Sequence, residues 1–133
     1  IPVMGHLGLT PQSIHQFGSY KARGQDAAEQ QRIVDDAKCL QQAGAFALAL
    51  EKVPAELGAR VAAAVEIPVI GIGAGPDVDG QILVTHDLLG LFTRFRPRFA
   101  RRYLELANEI DKAVQSYCRD VRGGSFPNAS ESY

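Results

Sequence analysis

Three short runs of apolar residues punctuate the chain, each ending in small or polar residues: Pro2 to Gly8, Phe46 to Glu51 and Ile67 to Gly73. Each is about a strand long and nearly continuous in apolar character, the pattern of a parallel sheet covered on both faces. Helical spacing separates them. Ile33, Ala37 and Leu40 repeat at steps of four and three, which predicts an amphipathic helix. Asp26 with Glu29 resembles a capping box at its start, and Gly44 suits its stop. A second helix is predicted from Pro54, an allowed first-turn position, with Leu57, Val61 and Val65 on its apolar face.

Beyond the third run the pattern is less regular. The stretch from Asp79 to Leu91 is ambiguous and is assigned a short helix. Phe99, Tyr103, Leu106, Ile110, Val114, Tyr117 and Val121 then recur at steps of three and four. They predict one long amphipathic helix that stops at Gly123-Gly124, with Ser125 to Tyr133 as coil. Strands alternating with helices at this spacing are βα units, and either a doubly wound sheet or a (β/α)8 TIM barrel follows. Three nearly continuous apolar strands need cover and neighbours, and a full barrel takes about 250 residues. The 133 residues therefore predict an α/β fold making up roughly half of one barrel domain. The opening Ile1-Pro2-Val3-Met4-Gly5 reads as a strand already under way. The expectation is a piece of a longer chain whose other half precedes residue 1.

Composition adds exclusions. Hydrophobic residues make up 46% and charged residues 22%, ordinary for a globular chain. A formal charge of -1 gives no general attraction to nucleic acid or membrane. No apolar run has the length of a membrane span, and the first residues lack the order of a signal peptide. Cys39 and Cys118 both fall in helical patterns, which suits reduced thiols and a cytoplasmic location better than a disulfide framework.

In a βα barrel, chemistry is carried at the carboxyl ends of strands and in the loops beyond them. Four places meet that condition. His6, between Gly5 and Gly8, reads either as a ligand-facing histidine or as a structural one. Glu51 ends five apolar residues. A carboxylate on such a rim is partly desolvated and usable as a base, or else it is paired with Lys52 or another cation. Gly71, Gly73 and Gly75 alternate so that the backbone could approach a ligand, or so that strand and helix could pack closely. Their spacing is not the dinucleotide-binding one. The arginines at 94, 96, 98, 101 and 102 are interleaved with Phe95, Phe99 and Tyr103. At the start of the last helix they would oppose its dipole, which suggests an anionic ligand, an acidic subunit surface or a plain solvated face. His6, His15 and His86 match no zinc spacing.

Several strings together resemble the ketopantoate hydroxymethyltransferase family. They are Gly5-His6-Leu7-Gly8-Leu9-Thr10-Pro11-Gln12, Phe17-Gly18-Ser19-Tyr20-Lys21, Leu50-Glu51-Lys52-Val53-Pro54, Ile70-Gly71-Ile72-Gly73-Ala74-Gly75 and Asp79-Gly80-Gln81-Ile82-Leu83-Val84. Phe126-Pro127 resembles the family's ending, although Asn128 to Tyr133 depart from it. The resemblance covers essentially the whole chain. It implies the C-terminal half of a (β/α)8 barrel of the phosphoenolpyruvate mutase and isocitrate lyase group. It also implies transfer of a hydroxymethyl group from 5,10-methylenetetrahydrofolate to 3-methyl-2-oxobutanoate, in pantothenate and coenzyme A synthesis. Magnesium acts there as a Lewis acid on the keto acid. By the same resemblance Glu51 is the proton acceptor, His6 a substrate contact, and Gly73 and Gly75 possible cofactor contacts. The metal ligands fall in the half that precedes this chain, so the piece alone is expected to be inactive. A homo-oligomer, often a decamer in this family, is implied as well, with the arginine cluster and the last helix as contact surfaces. A lyase or mutase acting on another 2-oxo acid, or an inactive assembly piece, are the competing expectations.

Overall fold

The computed structural model describes residues 1–133 as two compact units, residues 1–82 and 83–133. The first unit is a parallel sheet with helices on one face. Its strands are β1 (Met4–Gly8), β2 (Ala47–Glu51), β3 (Val69–Ile72) and β4 (Gly80–Gln81), and they lie side by side in chain order. A doubly wound sheet reverses its order at a switch point. The consecutive order is consistent with part of a TIM barrel. The connections are α1 (Ile14–Phe17), which follows a 3-10 turn at Pro11–Ser13, then α2 (Ala27–Gln42) and α3 (Ala55–Ala64).

Alternation along the strands sorts the two faces. Leu48, Leu50 and Val69 point toward the helices and bury themselves against Ile33, Val34 and Ala37 of α2 and Leu57 and Val61 of α3. Burying five such side chains fully is worth roughly 1.5–3 kcal/mol each, which makes this cluster the main source of cohesion in the unit. The other face carries His6, Ala49, Glu51, Ile70 and Ile72, and no polar or charged residue of the chain is fully buried.

Local signals explain the helix ends. The Asp26 carboxylate accepts from Glu29 N–H at 2.9 Å, as the capping pattern predicts. Glu29 does not return the bond to Asp26; its carboxylate takes the Gly24 amide at 2.6 Å and pairs with Arg23. Gly58 in α3 packs against the Ala74 carbonyl, in space that any Cβ would fill. Pro54 is the cap residue of α3, and Val65 lies past its end in extended backbone.

Beyond β3 the sequence expectations are corrected. The stretch from Asp79 to Leu91 is not one helix: Gly80–Gln81 joins the sheet, and only Thr85–Leu88 (α4) is helical. Asp79 makes the strand possible, because its carboxylate accepts from Val69 N–H at 2.8 Å while its own N–H donates to Val69 O at 3.0 Å.

In the second unit, the last helix, α5, spans Leu106–Gly123 and does not begin at Phe99. The N–H groups of Tyr103 and Leu106 donate to the carbonyls of Leu88 and Leu89, both at 2.9 Å, instead of to a preceding helical turn. The arginines therefore precede α5, and its first turn holds Glu109, so they do not oppose its dipole. Two of them brace the irregular segment: Arg96 donates to Ala100 O at 3.0 Å and Arg102 to Phe92 O at 2.6 Å. Gly124 closes α5 in the left-handed conformation, as expected. The tail is not all coil, since Asn128 caps a 3-10 turn at Ala129–Glu131. Along α5 the positions Ile110, Val114, Tyr117 and Val121 are about half exposed, which leaves the apolar face of the helix largely open.

Candidate active site

Glu51 is the last residue of β2, in register with Gly8 of β1 and Ile72 of β3. Three backbone hydrogen bonds fix it there. Its carbonyl accepts from Leu9 N–H at 2.8 Å, the next amide, on Lys52, donates to Ile72 O at 2.8 Å, and the Lys52 carbonyl accepts from Arg23 N–H at 3.0 Å. Gly8 is required at this point. It has φ +84, and a Cβ there would collide with the Glu51 carbonyl oxygen.

His6, in register with Ala49 one step back on the same face of the sheet, places its Nε2 3.2 Å from Glu51 Oε2. The side chains are only 32% and 17% exposed, so the pair stands on a part-shielded rim. The two atoms are close, yet Nε2 is buried and makes no hydrogen bond of acceptable angle. Nε2 therefore lies beside the Glu51 carboxylate with its hydrogen-bonding capacity unused. A part-desolvated carboxylate with an unused imidazole nitrogen beside it can take a proton from a carbon acid and hold an oxygen of the same molecule.

Lys52 does not pair with Glu51. It adopts the left-handed backbone conformation, φ 51, uncommon for a residue with a side chain. That turn sends its ammonium to the carbonyl of Tyr20. A cleft of about 210 Å³ opens beside β1 and takes in His6, Gly8, Thr10, Phe17, Arg23 and Arg32 among its walls. Glu51 is outside that wall, so His6 is the residue common to the cleft and the rim.

Gly73 and Gly75 follow β3 immediately beyond the Glu51 row, both with positive φ. Ala55 packs directly over Gly75, which gives that glycine a packing reason independent of any ligand. Neither residue joins the cleft wall. His15 and His86 lie on α1 and α4. No group of three or more His, Cys, Asp or Glu side chains converges in this chain. No helix is long and apolar enough to cross a membrane.

Sequence reasoning selects His6 and Glu51 separately; their convergence comes from strand register. It misses Lys52, for which the only signal is its place directly after the rim carboxylate.

A family model described as ketopantoate hydroxymethyltransferase matches residues 1–129. Among curated proteins, the 3-methyl-2-oxobutanoate hydroxymethyltransferase of Prosthecochloris aestuarii is 60% identical over 133 residues, all of this chain and 48% of its own length. Those of Parabacteroides distasonis and Chlorobaculum parvum are 58% and 56% identical, again over the whole of this chain and 49% and 48% of theirs. The chain thus spans about half the length of the relatives it matches.

Proposed function

The chain belongs to the ketopantoate hydroxymethyltransferase family, and from that premise we propose that it supplies the C-terminal half of a barrel that transfers a hydroxymethyl group to 3-methyl-2-oxobutanoate. Glu51 is the base of the reaction. It takes the proton from C3 of the keto acid, and the C–H electron pair becomes the enolate. Water adds to the methylene group of 5,10-methylenetetrahydrofolate and both of its C–N bonds break, so the folate nitrogens take the two protons of water and tetrahydrofolate leaves. The enolate carbon forms its bond to the one-carbon unit, now at the formaldehyde level, and the oxygen of that unit takes the proton from Glu51 to give 2-dehydropantoate. His6 Nε2 holds an oxygen of the keto acid while Glu51 works.

The observation that carries this reading is the 3.2 Å approach of His6 and Glu51 at the carboxyl rim of a parallel sheet, with Nε2 buried and unbonded. The family's rim chemistry needs a base and an oxygen-holding group at that place. The Gly73–Gly75 turn, on the same edge, is the part of this chain proposed to face the folate through its backbone. Magnesium, which would act as a Lewis acid on the keto acid, belongs to this proposal with its ligands in the other half of the barrel. By the same reasoning the chain is inactive by itself. Homo-oligomeric assembly, as a decamer, belongs to this proposal, and the half-exposed apolar face of α5 supports a helix surface that is buried in the assembly.

The test is hydrogen exchange at C3. The complete polypeptide, given magnesium and 3-methyl-2-oxobutanoate in heavy water without folate, is expected to exchange the C3 proton. Exchange that continues undiminished in Glu51→Ala removes Glu51 as the base. No exchange by the complete polypeptide removes the reaction itself.

A further inference from the structure

Lys52 has no role in the chemistry described so far, yet the structure spends backbone strain on placing it. A residue with a side chain seldom sits at positive φ, and at Lys52 φ is 51. Its own amide and carbonyl are both committed, to Ile72 and Arg23, so the turn is fixed from both sides. The ammonium is delivered to the Tyr20 carbonyl, and no carboxylate lies within ion-pair distance of it.

The segment it reaches lies between two anchored points. Phe17 ends α1, and Arg23 stacks over the Phe17 ring at 4.3 Å while its guanidinium pairs with Glu29. Gly24 is held by Glu29 and Gln30. Between these anchors, among residues 19–22, the bond from Lys52 to Tyr20 O is the only hydrogen bond to the rest of the chain. Phe17 and Arg23, at the two ends of this strap, also line the cleft that contains His6. The strap is therefore tied at its middle to the residue that directly follows the proposed base, and its ends wall the cleft beside the proposed substrate contact.

We propose that Lys52 is a positioning residue: it latches the strap of residues 18–23 across the rim, so that the strap encloses the keto acid bound against His6 and Glu51. This rests on the reading of Glu51 and His6 given above. Lys52 touches neither the substrate nor the reacting atoms. It acts through the strap, so its loss weakens binding of the keto acid and leaves proton removal by Glu51 unchanged once the substrate is bound.

The strap carries its own reporter, because Lys21 is exposed and the peptide bond after it is a trypsin site. In the complete polypeptide, Lys52→Met is expected to be cut after Lys21 about tenfold faster than the wild type, as for loss of one hydrogen bond to a charged donor. In the C3 exchange assay it should raise KM for 3-methyl-2-oxobutanoate by a similar factor while kcat holds, the signature of lost binding that is equal in ground and transition states. Lys52→Arg, which keeps a cationic donor, should restore both. Equal cleavage of wild type and Lys52→Met overturns the latch. Faster cleavage with an unmoved KM overturns the claim that the strap encloses the substrate. A lowered kcat at unchanged KM overturns it too.

The wild type gives a test that needs no variant: saturating keto acid should slow cleavage after Lys21, and absence of protection overturns the proposal. A wild type that exchanges no C3 proton and gains no protection points instead to failure of the underlying reaction. Normal exchange without protection fails the latch alone.

Discussion

Gly8 and Glu51 face each other in register, and the Glu51 carbonyl oxygen fills the space a Gly8 Cβ would need. The hydrogen bond from Leu9 N–H to that oxygen, 2.8 Å long, depends on this approach. Substitution Gly8→Ala adds a backbone clash to an unfavourable φ, so β1 must draw away from the end of β2. The expected result in the complete polypeptide is loss of about 2 kcal/mol of stability or more, read by urea unfolding. Exchange at C3 should fall with it, since the carboxylate moves away from His6.

Replacing Glu51 by Gln keeps shape and volume and removes the ability to take a proton. Exchange at C3 should fall on the order of a thousandfold, the scale of one general base. The urea midpoint should change little, because the side chain makes no hydrogen bond that the fold depends on. A large drop in stability with modest loss of exchange would assign Glu51 a structural role instead.

His6→Ala separates binding from proton transfer. Its Nε2 makes no hydrogen bond inside the chain, so truncation should cost the fold little. If the nitrogen holds a substrate oxygen, KM for the keto acid rises about tenfold, the worth of one such bond. Steady-state exchange kinetics at varied keto acid concentration check this, and an unchanged KM would end the assignment.

Leu50 is 1% exposed and sits in the cluster between β2 and the helices α2 and α3. Leu50→Ala should cost about 3 kcal/mol, the transfer loss together with the cavity left behind. Its neighbour along β2, Ala49, faces the opposite side, and Ala49→Gly removes only one methyl group, so it should cost less, about 1 kcal/mol from added backbone freedom. Urea unfolding of the two variants gives the comparison.

How much of this is written in the sequence depends on what forms each element. The strands around Leu48, Leu50 and Val69 are legible because burial on the helix face demands a continuous apolar run. The capping of α2 is legible because Asp26 acts on its own neighbours. β4 is not, since Gly80–Gln81 contains no apolar run, and its place is set by Asp79 bonding to Val69. The start of α5 misleads for a related reason. Phe99 and Tyr103 keep the helical period, but the Tyr103 and Leu106 amides are taken by carbonyls distant in sequence. At the site, Glu51 and His6 are visible as residue types at strand ends. Their approach, and the diversion of Lys52 to Tyr20, require the register and a backbone angle that no residue pattern announces.

The side-by-side order β1-β2-β3-β4 also bears on how the sheet comes into being. Each strand pairs with one already made, across a single intervening connection, so no partner has to be found at the far end of the chain. The separations that must be closed shorten along the sheet, from 43 residues between Met4 and Ala47 to 21 between Leu48 and Val69 and 10 between Ile70 and Gly80, and doubling a loop adds only about 0.6 kcal/mol. On the ribosome the sheet can grow as the chain emerges, each new strand docking on a finished edge. The last strand to arrive is the two-residue β4, which has the least apolar surface with which to hold its place. Hydrogen exchange during refolding should therefore protect the amides of β2 first and those of β4 last.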